Sequence, residues 1–237
     1  MIHIEQLSKR YTPDGPAVID QLSFHLNPRD KMCLFAPSGA GKSTLLRILM
    51  ELDPRYQGRY QVNSRRKGIV FQDAGLFSYM TVRENILYPF RLTKQKPSSA
   101  SLEEMEAWLN LLELQASLGL YPFQLSGGMR HKVAIIRAML QHPDVVFWDE
   151  PFRSIDFKTK VRIGHFLQER YQNLTSILVT HTLEDISLFA NQLYYFRDKR
   201  LNHYTVFKVD HSFHLDQLIQ MIESETFQAT DSSDPRG

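Results

Sequence analysis

The stretch Ala36-Pro37-Ser38-Gly39-Ala40-Gly41-Lys42-Ser43-Thr44 constrains this chain more than any other. Upstream of it, Met32-Cys33-Leu34-Phe35 is a short apolar run, which reads as a buried parallel strand. Downstream, Leu45, Leu46, Ile48 and Leu49 form one helix face that stops near Asp53-Pro54. A strand, a glycine-bearing loop closing on Gly-Lys-Ser, and then a helix is the setting of a phosphate-binding loop. Glycine lets backbone N–H groups turn inward around phosphate oxygens, and the helix N-terminus favours their negative charge. In that setting Lys42 reaches the β- and γ-phosphates as a point charge, and the Ser43 hydroxyl ligates Mg²⁺. The loop opens on Ala36 where the pattern has glycine, so that residue must keep a negative φ.

Composition narrows the partners. With 237 residues, 43% of them hydrophobic, the chain can bury one large core. Its 28 basic and 26 acidic residues leave a net charge of +2, which excludes a strongly basic nucleic-acid binder. The single cysteine, Cys33, falls in the apolar strand, so no disulfide framework exists and a reducing compartment fits. The start, Met1-Ile2-His3-Ile4-Glu5, lacks the pattern of a secretory signal. No apolar run reaches about 18 residues, so the chain is not expected to span a membrane itself.

Around the loop the pattern is α/β. Ile2 and Ile4 alternate with polar residues as in a half-buried strand. After a turn cluster at Asp14-Gly15, Val18 to Leu26 resumes an extended pattern with Leu22, Phe24 and Leu26 on one face. This predicts an antiparallel layer ahead of the loop. Between the two runs, Tyr11 either stacks on a base or sits as a satellite core tyrosine. Arg55 to Arg66 reads as short edge strands and turns, and Ile69-Val70-Phe71 as a second apolar strand ending at Gln72. An amide at the carboxyl end of such a strand faces the ligand crevice, or lies on a solvent-facing loop.

Residues from about 73 to 142 predict a helical insertion. Thr81 to Glu84 and Ser101 to Glu104 each have the capping-box pattern that opens a helix. Met105, Trp108, Leu109 and Leu112 then follow at helical spacing and belong to the core. In Leu125-Ser126-Gly127-Gly128-Met129, Ser126 is placed to cap a helix with Met129, Val133, Ile136 and Leu140 on its buried face. Two glycines in a first turn weaken a helix by about 1 kcal/mol each against alanine. Close backbone approach to an anion gives a reason for both.

Asp144 to Pro151 is an apolar strand ending in two carboxylates, Asp149 and Glu150, the layout that places an acid beside Mg²⁺. Lys158 to Tyr171 reads as a helix, Ser176 to Thr180 as a buried strand running into His181, Leu183 to Ala190 as a short helix, and Leu193 to Phe196 as a last strand. Leu215, Leu218, Ile219 and Ile222 suggest a closing helix, beside a His211-x-x-His214 pair with no third ligand nearby. The tail from Thr226 to Gly237 reads as disordered.

With the phosphate loop, Gln72, Leu-Ser-Gly-Gly, the Asp149-Glu150 strand and His181 in order, the chain resembles the ATP-binding subunit of an ABC transporter over roughly residues 1 to 200. The resemblance implies a phosphate-loop NTPase core with a parallel sheet, an N-terminal antiparallel β layer and a helical subdomain. Residues 201 to 237 would be a C-terminal extension. It implies ATP and Mg²⁺ as ligands. Tyr11 would stack on adenine, and Ser38, Gly39, Ala40, Gly41, Lys42, Ser43 and Thr44 would hold the phosphates. Ser43, Gln72 and Asp149 would serve the metal, Gln72 would also touch the attacking water and report nucleotide state to the membrane subunit, Glu150 would be the general base, and His181 would contact the γ-phosphate. Ser126, Gly127 and Gly128 would close over the nucleotide of a second copy in a head-to-tail dimer, with Asp156 in the loop crossing between them. Integral membrane permease subunits would be partners at the cytoplasmic face of the membrane, with a solute-binding protein if the system imports.

Leu-Ser-Gly-Gly-Met-Arg is similar to the signature of nitrate, sulfonate and taurine importers. Four features depart from the family pattern: Met129 in the signature, Thr182 after the histidine, Arg153 before Ser154, and a stretch of only 30 residues from Lys42 to Gln72 that implies a reduced antiparallel layer. The competing reading is a soluble ABC ATPase of the iron–sulfur assembly type.

Overall fold

In the computed structural model, which describes residues 1–210 and Ile219, the alternation at Ile2, Ile4 and Leu7 becomes the first strand, β1 (Ile2–Lys9). Ile19, Leu22, Phe24 and Leu26 do the same in β2 (Ile19–Leu26), which pairs antiparallel with β1. The apolar run before the loop is β3 (Lys31–Phe35), and α1 (Lys42–Leu49) begins at Lys42 itself. The stretch from Arg55 supplies one strand to the antiparallel layer, β4 (Gln57–Val62), and then β5 (Lys67–Val70).

Helix α2 (Val82–Leu92) opens on the expected capping box: Thr81 Oγ1 accepts from the Glu84 N–H, and the Glu84 carboxylate accepts from the Thr81 N–H. The second expected box is not used. Helix α3 (Ser99–Leu112) starts three residues earlier, capped by Ser98, whose hydroxyl accepts from the Ser101 N–H. Glu104 therefore lies inside the helix, buried, and accepts from the Tyr171 hydroxyl at 2.8 Å. A buried carboxylate needs such a donor, and that long-range partner outweighs the local pattern.

Helix α4 (Gly127–Met139), strand β6 (Val145–Asp149), helix α5 (Phe157–Arg170), strand β7 (Thr175–Val179), helix α6 (Leu183–Phe189) and strand β8 (Gln192–Tyr195) follow where the apolar patterns place them. A further strand, β9 (Thr205–Lys208), is not signalled by the sequence. It pairs antiparallel with β8 at the sheet edge, where three of its four side chains are exposed, so no buried alternation marks it. The division expected near residue 200 falls between these two hydrogen-bonded strands, beside the fully buried Leu201. His211, His214, the tail from Thr226 and most of the closing helix expected around Ile219 lie outside the described residues.

β1 sits between β2 and β4 in a three-stranded antiparallel sheet. The larger sheet runs β5-β6-β7-β3-β8-β9 and is parallel from β5 to β8. Both its faces are covered. Val146 and Trp148 of β6 join a core with the helices, while Val145 and Phe147 join one with α1 and the antiparallel sheet. This is why β6 reads as a continuous apolar run rather than an alternation. Each fully buried side chain of this size contributes about 1.5–3 kcal/mol. The strand ends just beyond them are therefore held on rigid supports. Between β5 and β6 the chain passes through α2, α3 and α4, and α4 packs on α2, α3 and β5.

Candidate nucleotide-binding site

The parallel strands deliver four loops to one edge of the sheet. β3 leads into the phosphate loop, β5 into Gln72, β6 into Asp149 and Glu150, and β7 into Thr180 and His181. Ligands of open α/β sheets bind in this crevice beyond the carboxyl ends. A cleft of about 630 Å³ opens there, lined by Ser38, Gly39, Gly41 to Thr44, Tyr11, Gln72, Asp149, Glu150 and His181. Ala40 is the exception among the expected loop residues. It is fully buried, and its N–H donates to the Pro37 carbonyl at 3.2 Å rather than into the cleft.

Gly39 and Gly41 adopt φ of 80° and 97°, which only glycine does without strain. At Gly39 a Cβ would meet nothing, so backbone conformation alone requires the glycine. Ala36 is not among the residues with positive φ, so alanine is accommodated as required. Lys42 lies back along the loop, its Nζ donating to the Ala36 and Pro37 carbonyls at 2.8 and 3.0 Å. Burial lowers its pKa, and the nearby Glu150 and Asp149 charges oppose that shift.

The Ser43 hydroxyl donates to Asp149 Oδ1 at 3.1 Å. A hydroxyl and a carboxylate side by side are the hard oxygen donors that Mg²⁺ takes, and Mg²⁺ uses one or two carboxylates plus substrate phosphates rather than a full protein cage. The Ser43–Asp149 pair in the phosphate-loop cleft fits that pattern. Burial raises the Asp149 pKa, offset in part by the Ser43 hydrogen bond.

Glu150 has φ of 52°, a left-handed conformation that costs a non-glycine residue on the order of 1 kcal/mol. Its N–H donates to the Val179 carbonyl at 3.0 Å, which holds the turn against that strain. Burial, and then the neighbouring Asp149, raise its pKa above the usual carboxylate range. Its Oε1 lies 3.3 Å from His181 Nε2. Burial, then Lys42 and Arg153, lower the His181 pKa, so the imidazole is neutral at neutral pH. The contact thus joins a carboxyl group to a neutral ring rather than two full charges.

Beneath His181 lies a network with no local sequence signal. Thr180 Oγ1 donates to Asp185 Oδ2 at 2.9 Å, Lys160 pairs with Asp185 at 2.7 Å, and the Thr182 N–H donates to Thr180 Oγ1 at 3.1 Å. A fully satisfied buried network of this kind fixes the turn that carries the histidine. Tyr11 is not a core residue: it is 58% exposed, and its hydroxyl is 2.7 Å from Thr44 Oγ1. That bond anchors the ring on the wall of the cleft, with the Lys9 ammonium 5.2 Å from its centroid.

Ser126, Gly127 and Gly128 do not line this cleft. Ser126 caps α4 as expected, its Oγ accepting from the Met129 N–H at 3.2 Å. Gly127 opens onto a second cleft of about 450 Å³, shared with Gln72, His131 and Arg153. The two glycines differ. A Cβ on Gly128 would stand 2.3 Å from the Ser154 carbonyl, so packing within the chain requires that glycine. At Gly127 an added Cβ would come no nearer than 3.6 Å, to the Ser154 hydroxyl, so packing does not account for that glycine. The signature also touches the strand-end loops: His131 Nε2, on α4, lies 3.0 Å from the Gln72 carbonyl. Arg153, noted in the sequence only as a departure, lines both clefts.

Comparison with known proteins identifies the family and the fold. The family described as ABC transporter matches residues 19–153. The aliphatic sulfonates import ATP-binding protein SsuB of Bacillus subtilis is 34% identical over 185 residues, covering 74% of this chain and 71% of the relative. The nitrate import ATP-binding protein NrtD of Synechocystis is 33% identical, covering 74% of this chain and 69% of the relative. The sulfate/thiosulfate import ATP-binding protein CysA 2 of Shewanella oneidensis is also 33% identical, but this chain spans only 58% of its length. Among solved structures, the dimeric ABC transporter cassette MJ0796 superposes with a TM-score of 0.77 at 24% identity, covering 89% of this chain and 99% of the cassette. The shared cassette fold, the phosphate loop with its acid pair, and the family match over residues 19–153 place the chain in the ABC transporter family, as an ATP-binding cassette.

Proposed function

We propose that this chain hydrolyses ATP to energise the import of a small solute through partner permease subunits, acting at the cytoplasmic face of the membrane. The observation that carries the reading is the convergence of Lys42, the Ser43–Asp149 pair and the Glu150–His181 pair on one cleft. The reported relatives are import subunits for sulfonates, nitrate and sulfate. Nothing among them favours the iron–sulfur assembly alternative. Among the described residues no helix is long and apolar enough to cross a membrane, which agrees with a subunit that works through membrane partners.

In this reading the loop amides and Lys42 hold the terminal phosphates, and the exposed Tyr11 ring supports the base. Ser43, Asp149 and Gln72 would hold Mg²⁺, which neutralises phosphate charge when bound. Glu150 accepts a proton from the attacking water, and His181, neutral and 3.3 Å away, orients the carboxylate and reaches the γ-phosphate. Ser126, Gly127 and Gly128 complete the site of a second copy. A solute-binding protein would deliver the cargo.

Lys42→Ala tests the site directly. It removes the one cation seated in the loop, so ATP affinity in equilibrium titration should fall by about tenfold or more while circular dichroism is unchanged. Unchanged affinity would remove the basis of the assignment.

The contact with a permease has a candidate place beside Gln72. Phe77 packs on Tyr88 with ring centroids 4.4 Å apart, and Tyr79 stands 70% exposed next to them. A partly buried aromatic base with one exposed ring suits a short partner helix laid across it. Because the chain's one cysteine, Cys33, is buried, cysteines placed at Ser78 or Tyr79 would be the reactive thiols. They should crosslink to a permease in the assembled complex. No crosslink with any of several spacer lengths would place the contact elsewhere.

A further inference from the structure

The segment after Glu150 is clamped at both ends. Phe152 is buried and stacks on Phe189 at 3.9 Å between ring centroids, and Ile155 is buried two residues beyond Arg153. Between these anchors the Arg153 N–H reaches the Glu150 carbonyl at 3.4 Å, and the Ser154 carbonyl packs against Gly128. The backbone at Arg153 is thus fixed at the seam between the nucleotide cleft and the signature-side cleft, and the residue lines both. Among the described residues no ion pair within 4.0 Å holds its guanidinium, although its charge acts on Glu150, His181 and His131. Lys42, by contrast, has two of its three donors on loop carbonyls. A fixed arginine with free donors, on a cleft wall beside two carboxylates and a neutral histidine, is arranged for an added anion.

We propose that Arg153 binds the terminal phosphate of the nucleoside triphosphate held in its own chain's cleft, as a second cation that discriminates triphosphate from diphosphate. This rests on the reading of the cleft as an ATP site. A guanidinium presents forked N–H donors that match two phosphate oxygens, and a cation whose charge reaches Glu150 and His181 lies on the side of the cleft assigned to the last phosphate. The loop and Lys42 would then supply general phosphate affinity, and Arg153 the preference for the triphosphate.

The test is equilibrium titration of the full chain with ATP and with ADP, each with Mg²⁺, in wild type, Arg153→Gln and Arg153→Lys. Arg153→Gln should weaken ATP binding by about tenfold and leave ADP binding within about twofold. Arg153→Lys, which keeps the charge but not the forked donors, should lose ATP affinity by a smaller factor than Arg153→Gln. The exposed side chain makes both variants compatible with the fold, and circular dichroism checks it. Unchanged ATP binding in Arg153→Gln, an equal loss for ATP and ADP, or an equal ATP loss in both variants would each overturn the proposal. If wild type binds neither nucleotide, the ATP-site reading fails and takes this one with it. If wild type binds both and Arg153→Gln is silent, only the role of Arg153 fails.

Discussion

Glu150→Gln is expected to leave ATP binding intact and to lower turnover by about 10² or more. Glutamine keeps the size of the side chain and its place 3.3 Å from His181, but it cannot take a proton from water. The wild-type carboxyl has its pKa raised by burial and by Asp149, which moves it toward the range in which a general base works best. Two further readouts follow from the sign of that shift. Turnover of the wild type should fall with acidity as Glu150 protonates above the usual carboxylate range, and the residual rate of the variant should lack this limb. For stability, a raised carboxylate pKa means that the folded chain binds the proton more tightly than the unfolded chain. The ionised form is then a cost to the fold, present above the folded pKa and relieved as pH falls. Glu150→Gln removes that cost, so the variant should melt no lower than wild type at neutral pH. Turnover within about twofold of wild type, with contaminating ATPase excluded, would show that another group is the base.

The elements that carry the site were legible because their physics is local or two-sided. β3 and β6 are buried on both faces, so they appear as unbroken apolar runs, and the acids that end β6 stand out against them. Gly39 and Gly41 are demanded by φ, which a sequence displays directly. What the sequence hid depends on partners far along the chain. Gly128 is required by the Ser154 carbonyl, and nothing near residue 128 announces it. The turn bearing His181 is fixed by Lys160 and Asp185, a buried pair that reads in the sequence as two ordinary surface charges. Ser101 to Glu104 matched a capping box, but Glu104 was taken by Tyr171 and the cap passed to Ser98. β9 lies at an exposed edge and has no buried face to show. Arg153 was visible as a residue, while its place between two clefts was a property of the folded loop.

Mixing two inactive variants, Lys42→Ala and Ser126→Arg, is expected to restore ATP-dependent association and turnover in part, although neither recovers alone. The reason lies in where the structure puts the signature. Gly127 opens onto the second cleft, and neither it nor Ser126 lines the one that holds Lys42, so within one chain the α4 N-terminus does not close over its own phosphate loop. An exposed serine hydroxyl and a helix N-terminus suit an anion brought by another molecule. If two copies associate head to tail, each nucleotide lies between the loop of one copy and the signature of the other, and symmetry makes two equal interfaces. Each site is then complete only in the closed dimer, where excluded water strengthens every charge interaction. In a mixed dimer one interface pairs Lys42→Ala with Ser126→Arg and is doubly defective, and the other pairs the two intact halves. A loop and a signature acting within one chain would give no such recovery. Ser126→Arg also removes the cap on α4 at a cost of about 1 kcal/mol, so both variants must first be shown folded. If folded variants fail to complement, and Glu150→Gln chains stay monomeric with saturating ATP and permease, the signature does not act on a second copy. The Ser126–Gly127 turn would then serve α4 alone.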